Sequence, residues 1–418
     1  MAMQIKSTYY SVLTGFALLF SLSATSQTRT LDYYVSAAIS NSPTLKEDYA
    51  KIEQNNIDST IAISEYKPQV NVTGQAIAAP TYGDFGYDEA VTNGGSYEEV
   101  VSASQLIAPR KEIKLTRTLC NYERQSLANE AKKTENELRK DVAEKYLNAC
   151  LLQQQMIFYV QSDSFLVREK NILKELTDKG IYRMSDYYEL AVEEQSEKTQ
   201  VTQLSVQFTQ AISDLNETCG INDTAFCKLS IPKIEPYKQN DIKQLIGYQK
   251  FQVDSMQLAG QQMLLDAQYY PHLSWYADAG MEASQPNLIY KSFGNSLGLN
   301  LSIPLYDGHK KELKHKSFAI SEGVRSNYEQ FFVKTYSTHT ALLIKQMQQA
   351  AMLVTGLKNE EEQVQAWMKV NKAQIAVGNI SITDFLLGLK KELEVNNDLT
   401  QALINQQLLQ NEFNYWNH

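Results

Sequence analysis

The side chains that could do chemistry are sparse in this 418-residue chain. Its five histidines are scattered, and the densest grouping, His309 and His315 with Asp307, has no common zinc spacing. It reads as a solvated surface, so no metal is expected. No Gly-rich phosphate loop, Gly-x-Ser-x-Gly elbow or His-Glu-x-x-His helix occurs. The acidic runs Glu98-Glu99 and Glu360-Glu361-Glu362 read as solvated loop and helix faces rather than acid–base pairs. Neither an enzyme nor a cofactor is expected. Among four cysteines, Cys219 and Cys227 flank Gly-Ile-Asn-Asp-Thr-Ala-Phe and are the candidate disulfide of an exported chain. Cys120 and Cys150 fall in helical runs and read as buried thiols.

One polar pattern occurs twice. Gly180 is followed by Ser185 and Asp186, and Gly378 by Thr383 and Asp384. Glycine supplies the backbone freedom to turn one long helix into the next. Ser185 or Asp186 can cap the following helix, with Glu189 placed three residues after Asp186 as a capping box needs. A carboxylate there also suits the helix dipole. A plain helix-hairpin turn needs no more than this.

The elements that position these turns also come twice. Pro68 and Pro271 each open an alternating stretch, and Lys111-Glu112-Ile113-Lys114 matches Lys311-Glu312-Leu313-Lys314. Together with the two glycines, these landmarks recur in order about 200 residues apart, which predicts an internal two-fold repeat. No proline lies between Pro109 and Pro232 or after Pro304. Those runs are rich in helix formers, so each predicts two long helices, of roughly 70–90 Å at about 1.5 Å per residue. The expected layout is a signal peptide at 1–26, a first repeat at 27–230 and a second at 231–418. The first has a helix with a break at Asn41-Ser42-Pro43, a hairpin about 68–107 and helices over 110–215. The second has a helix over 241–268, a hairpin about 271–306 and helices over 309–418. Pro232 and Pro236 mark the linker, about 216–240.

Lys6, the apolar stretch Val12 to Leu22 and Ala24-Thr25-Ser26 form the signal pattern. Its removal takes one lysine and no acid, leaving a net charge of −10. There is no basic block, which disfavours nucleic acid as a partner. No later stretch of 18 apolar residues exists, which excludes apolar membrane-spanning helices.

The second-half strands alternate cleanly. Leu273, Trp275, Ala277, Ala279 and Met281 alternate with Ser274, Tyr276, Asp278, Gly280 and Glu282. Leu297, Leu299, Leu301, Ile303 and Leu305 alternate with Ser296, Gly298, Asn300, Ser302 and Pro304. The first half is weaker: Val70, Val72, Gly74, Ala76 and Ala78 alternate with Gln69, Asn71, Thr73 and Gln75. About ten residues of period two, with aromatics such as Tyr66, Tyr97, Tyr270 and Phe293 at the ends, suit a transmembrane β-strand. Four strands cannot close a barrel, and lipid tolerates no open edge. Several chains must then share one, and three would give twelve strands, an even number in the known range. Leu343, Met347, Ala350, Val354 and Leu357 form a coiled-coil-like seam on a long helix.

On these residues the mature chain resembles, over essentially its whole length, the TolC family of outer membrane efflux proteins. The marks are Asn41-Ser42-Pro43, Pro68 and Pro271, Ile303-Pro304-Leu305-Tyr306-Asp307-Gly308, and the paired Gly…Ser/Thr-Asp elements. The resemblance implies a mostly α homotrimer with a small β part. Its long antiparallel helical hairpins form an α-barrel in the periplasm, capped by one shared twelve-stranded barrel in outer membrane lipid. It implies an outer membrane channel working with a periplasmic adaptor and an inner-membrane pump of RND or ABC type. By resemblance, the turns at Gly180, Ser185, Asp186, Gly378, Thr383 and Asp384 are the periplasmic tip where the adaptor docks, and Asp384 is the candidate pore constriction. The chain departs from the pattern at Ile375, Ile380 and Leu387, where some members carry a Tyr and an Arg of a polar lock and a second acid. The rival reading is a secreted periplasmic coiled-coil adaptor or scaffold without a pore. It accounts for the signal and helices but poorly for two strand pairs.

Overall fold

The computed structural model describes residues 28–80, 82–88, 94–223, 227–377 and 379–418. The expected signal segment 1–26 and Gly378 lie outside the described residues. The chain is mostly helical with a minor strand part. Its elements run β1 (Thr28–Arg29), α1 (Leu31–Asn41), α2 (Pro43–Ser64), β2 (Gln69–Ala78), β3 (Gly95–Ile107), α3 (Arg110–Asp178) and α4 (Met184–Cys219). There follow β4 (Lys228–Leu229), α5 (Ile246–Ala267), β5 (His272–Ala283), β6 (Phe293–Ser302), α6 (Lys310–Ala376) and α7 (Ile382–Trp416). Among the described residues, no helix is long and apolar enough to cross a membrane.

Local chemistry sets the boundaries. Pro43 is the first residue of α2, where its missing N–H costs nothing, and Ser42 Oγ accepts from Leu45 N at 3.3 Å. β6 ends at Ser302, earlier than the alternating pattern suggests, because Pro304 cannot donate to a ladder. Gly308 and His309 then both take positive φ, and the Asp307 carboxylate accepts from Lys311 N at 2.7 Å to open α6. α4 runs on to Cys219, beyond the expected 215, and stops at Gly220 with φ 62°.

The chain divides into two compact units. The first comprises the chain up to Leu45, 134–240 and 335–418; the second comprises 46–133 and 241–334. The first unit has ordinary helical cores. Tyr34, Tyr146, Leu147, Phe208 and Leu215 are fully buried in one of them. The Tyr146 hydroxyl lies 2.9 Å from Arg29 O and 2.8 Å from Ser230 O, tying α3 to the C-terminal ends of both strands of the parallel β1–β4 pair. In the α6–α7 packing, Leu343, Ala350 and Val354 are buried, and Val354 clusters with Leu399 and Ala402. The coiled-coil-like seam is thus used within the chain.

The linker is strapped along α7 by side-chain amides. Gln407 Oε1, Asn414 Oδ1 and Asn417 Oδ1 accept from the backbone N–H of Ile234, Tyr237 and Asn240 at 2.6, 2.7 and 2.8 Å. Asn414 and Asn417 also donate to the carbonyls of Glu235 and Lys238 at 2.9 and 2.6 Å. An amide carries both donor and acceptor, so it can stand in for a neighbouring strand.

In the second unit the four long strands form one antiparallel sheet in the order β2-β3-β5-β6. Among the described residues β2 and β6 each have one neighbour, so both edges of the sheet are unpaired there.

Candidate functional sites: two helix turns and an exposed apolar sheet face

Gly180 has φ 75°, and a Cβ there would meet nothing within 4 Å. The glycine serves conformation rather than space. Gly180 N bonds to Thr177 O at 2.9 Å and Ile181 N to Leu176 O at 3.0 Å, the paired bonds that close a helix around a left-handed residue. The second turn shows the long bond of that pair, Asn379 N to Gln374 O at 3.0 Å.

The caps differ from the sequence reading. Neither Ser185 nor Asp186 is the N-cap of α4; Arg183 holds that place, and Asp186 reaches back to accept from Arg183 N at 3.0 Å. Ser185 Oγ donates to Asp186 Oδ1 at 3.4 Å. Glu189 forms no box; it accepts from Thr383 Oγ1 at 3.4 Å. At the second turn the cap is Ser381, which accepts from Asp384 N at 3.0 Å and donates to Asp384 Oδ2 at 2.6 Å. The sequence reading missed Ser381, although Ser-x-x-Asp before an apolar run is the signal for it.

The structure brings the two turns together. Tyr182 OH donates to Ile380 O at 3.2 Å, and Lys390 Nζ pairs with Glu193 at 3.1 Å. Burial, with Asp186 adding, raises the Tyr182 phenol above its usual range, so it stays a donor. Beneath them Phe385 is fully buried, its ring centroid 5.7 Å from that of Phe165. Gly388 lets α7 approach α6, since a Cβ there would lie 2.7 Å from Met368 Sδ. Ile375 is buried and Ile380 half-buried in this core, so the two positions departing from the polar lock contribute packing. Between α4 and α7 a shallow groove runs past Tyr188, Glu189, Val192, Asp384 and Leu387. Asp384 is exposed, and Leu387 is 62% exposed.

In the sheet, register decides which side chains share a face. Val70, Ala103, Ala277 and Leu297 form one row, and Val72, Val101, Ala279 and Asn295 the next. Leu273 with Leu301 and Trp275 with Leu299 continue the same face. The strand-paired members of every apolar set read from the alternation therefore fall on one side, while Ile303 and Leu305 lie beyond β6. That side is open: Val72 is 73% and Leu299 70% exposed. Gln105 lies on it with its amide satisfied, donating to Tyr66 O at 2.8 Å and accepting from Trp275 Nε1 at 3.1 Å. Glu99 is also there, next to the Tyr97 row near the hairpin end. The opposite face carries Asn71, Ser102, Asp278 and Ser296 in one row, the last two bonded at 3.1 Å.

The expected Cys219–Cys227 disulfide is not formed. Both are free, buried thiols. Cys227 Sγ lies 3.3 Å from the Tyr34 hydroxyl, and burial pushes the Cys219 thiol up to about 11, away from the thiolate that oxidation needs. The histidine grouping is engaged elsewhere: His315 contacts Asp266 at 3.0 Å and Gln262 at 2.8 Å, and His309 lies 3.6 Å from Glu312. Among the described residues no group of three acids, histidines or cysteines could hold a metal.

No family model and no curated protein matches the sequence. Solved structures do match. The Campylobacter jejuni CmeC outer membrane channel aligns with a TM-score of 0.76 at 12% identity, over 93% of this chain and 86% of that one. CusC, solved in the context of folding and transmembrane channel formation, aligns at 0.74 and 13% identity, over 92% and 90%. The Vibrio cholerae outer membrane protein VceC aligns at 0.72 and 12% identity, over 92% and 94%. This chain has the fold of these solved structures.

Proposed function

We propose that the chain is an outer membrane channel of a tripartite export system. Three copies share one barrel of twelve strands, four from each, and their long helices continue as a periplasmic tube. The observation that carries this reading is the sheet of the second unit. It exposes a largely apolar face and, among the described residues, leaves both edges unpaired. Water would penalise the face, and lipid would penalise the edges. Closure with the sheets of two further copies pairs the edges, lipid covers the apolar face, and the polar face is left lining a lumen. The matched structures, CmeC named as an outer membrane channel and VceC as an outer membrane protein, support the same reading. A periplasmic scaffold would leave that sheet unexplained.

On this reading residues 1–26 are the export signal, and the helical turns form the periplasmic tip. The groove past Tyr188, Val192 and Leu387 offers apolar contacts to a periplasmic adaptor, which links the tube to an inner-membrane pump of RND or ABC type. Gly180, Ser185, Asp186, Gly378, Thr383 and Asp384 shape or flank that docking end. Three copies of exposed Asp384 make an acidic ring that favours cations. An open tube offers no tight pocket, so the pump selects what is exported.

Planar-bilayer recording tests both levels. The wild-type protein should form cation-preferring channels, and Asp384→Ala should reduce the cation-to-anion permeability ratio while leaving conductance. Unchanged selectivity removes Asp384 from the constriction; the absence of any channel removes the function.

A further inference from the structure

Glu197 on α4 is 4% exposed. Its Oε1 accepts from Ser162 Oγ of α3 at 2.8 Å. Its Oε2 is buried without a hydrogen-bond partner, and so is Oδ1 of Asp163 on α3. The titratable groups that face Glu197 are Tyr159 and Asp163 on α3, Glu193 on α4 and Lys390 on α7. The cations nearby are already committed. Lys390 pairs with Glu193 at 3.1 Å, Lys198 with Glu194 at 3.1 Å, and Lys170 also with Glu194. An ionised Glu197 would therefore sit buried beside two other acids with one oxygen unsatisfied, an arrangement that neutralisation relieves. Burial outweighs the Ser162 bond and pushes the carboxyl up to about 7.

We propose that Glu197 is a proton-operated latch: as a neutral acid it lets α3, α4 and α7 pack, and its ionisation loosens the α3–α4 hairpin towards the Gly180 turn. Glu197 lies 13 residues into α4 from Met184, roughly 20 Å from the turn at about 1.5 Å per residue. Between them on the same helix stand Glu193, which holds Lys390, and Glu189, which holds Thr383. Both contacts join α4 to α7, so a displaced α4 reaches the second turn through them.

The sign of the linkage is fixed by the raised value. Unfolded, the carboxyl titrates at 4.5; folded, at about 7. The stability it contributes is fully present below the unfolded value and is lost as pH rises through about 7. Melting temperatures of the detergent-extracted full chain at pH 5 and pH 8 test this. The wild type should lose about 5 °C between them, and Glu197→Gln less than half of that. Amide exchange in peptides covering 159–200 of the wild type, corrected for intrinsic rate, should be faster at pH 8; this measurement needs no variant. Equal slopes in the two proteins, or protection that does not change with pH, would overturn the latch.

A third arm rests on the channel reading: wild-type channels should be open more of the time at pH 8 than at pH 5.5, and Glu197→Gln channels equally at both. Channels whose opening ignores pH would overturn the coupling to the turns. No channels, with the stability and exchange results intact, would count against the channel reading and leave the latch standing.

Discussion

The first unit and the sheet of the second solve the same problem in opposite ways. In the first, Tyr34, Tyr146 and Phe208 are buried by neighbouring helices of the same chain, and buried polar atoms such as Gln153 Nε2 find backbone partners, here Leu229 O at 2.8 Å. In the sheet, side chains of equal apolarity, Leu297, Leu299 and Leu301, are 60–80% exposed. Burial is thus internal in one region and left to the surroundings in the other. On the proposed function, hydrocarbon covers that face and further strands pair those edges.

Substitutions can break that contrast. The largest effect should come from Tyr146→Ala, which removes a buried ring and its anchor to Arg29 and Ser230; about 3–5 kcal/mol is expected from chemical unfolding. Loss of less than about 1 kcal/mol would mean that this core is not as closed as its burial says. Leu299→Arg should cost about 2–4 kcal/mol in lipid, seen as failure to insert into bilayers. In water the same exposed change is worth within about 0.5 kcal/mol. A Leu299→Arg protein that inserts as well as the wild type would show that this face does not meet hydrocarbon.

The sequence displays what local periodicity controls. Alternation in β5 and β6 placed Trp275 and Leu299 on one face, and proline-free runs marked α3, α4, α6 and α7. Contacts between distant residues left no such trace. The amides of Gln407, Asn414 and Asn417 look like ordinary polar positions of a helix until the linker is laid beside them. Glu197 looks like one acid of a charged helix face; only its packing against Ser162 shows that it is buried. The proposed disulfide failed for a related reason. Sequence spacing could bring Cys219 and Cys227 near each other, but it does not reveal that both are buried as free thiols, Cys227 against the Tyr34 hydroxyl.

The central claim is that the open sheet is a third of a shared barrel. The most direct test is the light-scattering mass of the protein extracted by detergent from an outer membrane fraction. The shared barrel requires a detergent-corrected mass of three mature chains. A monomer, soluble without detergent, would contradict it and leave the strands as the hairpins of a periplasmic scaffold.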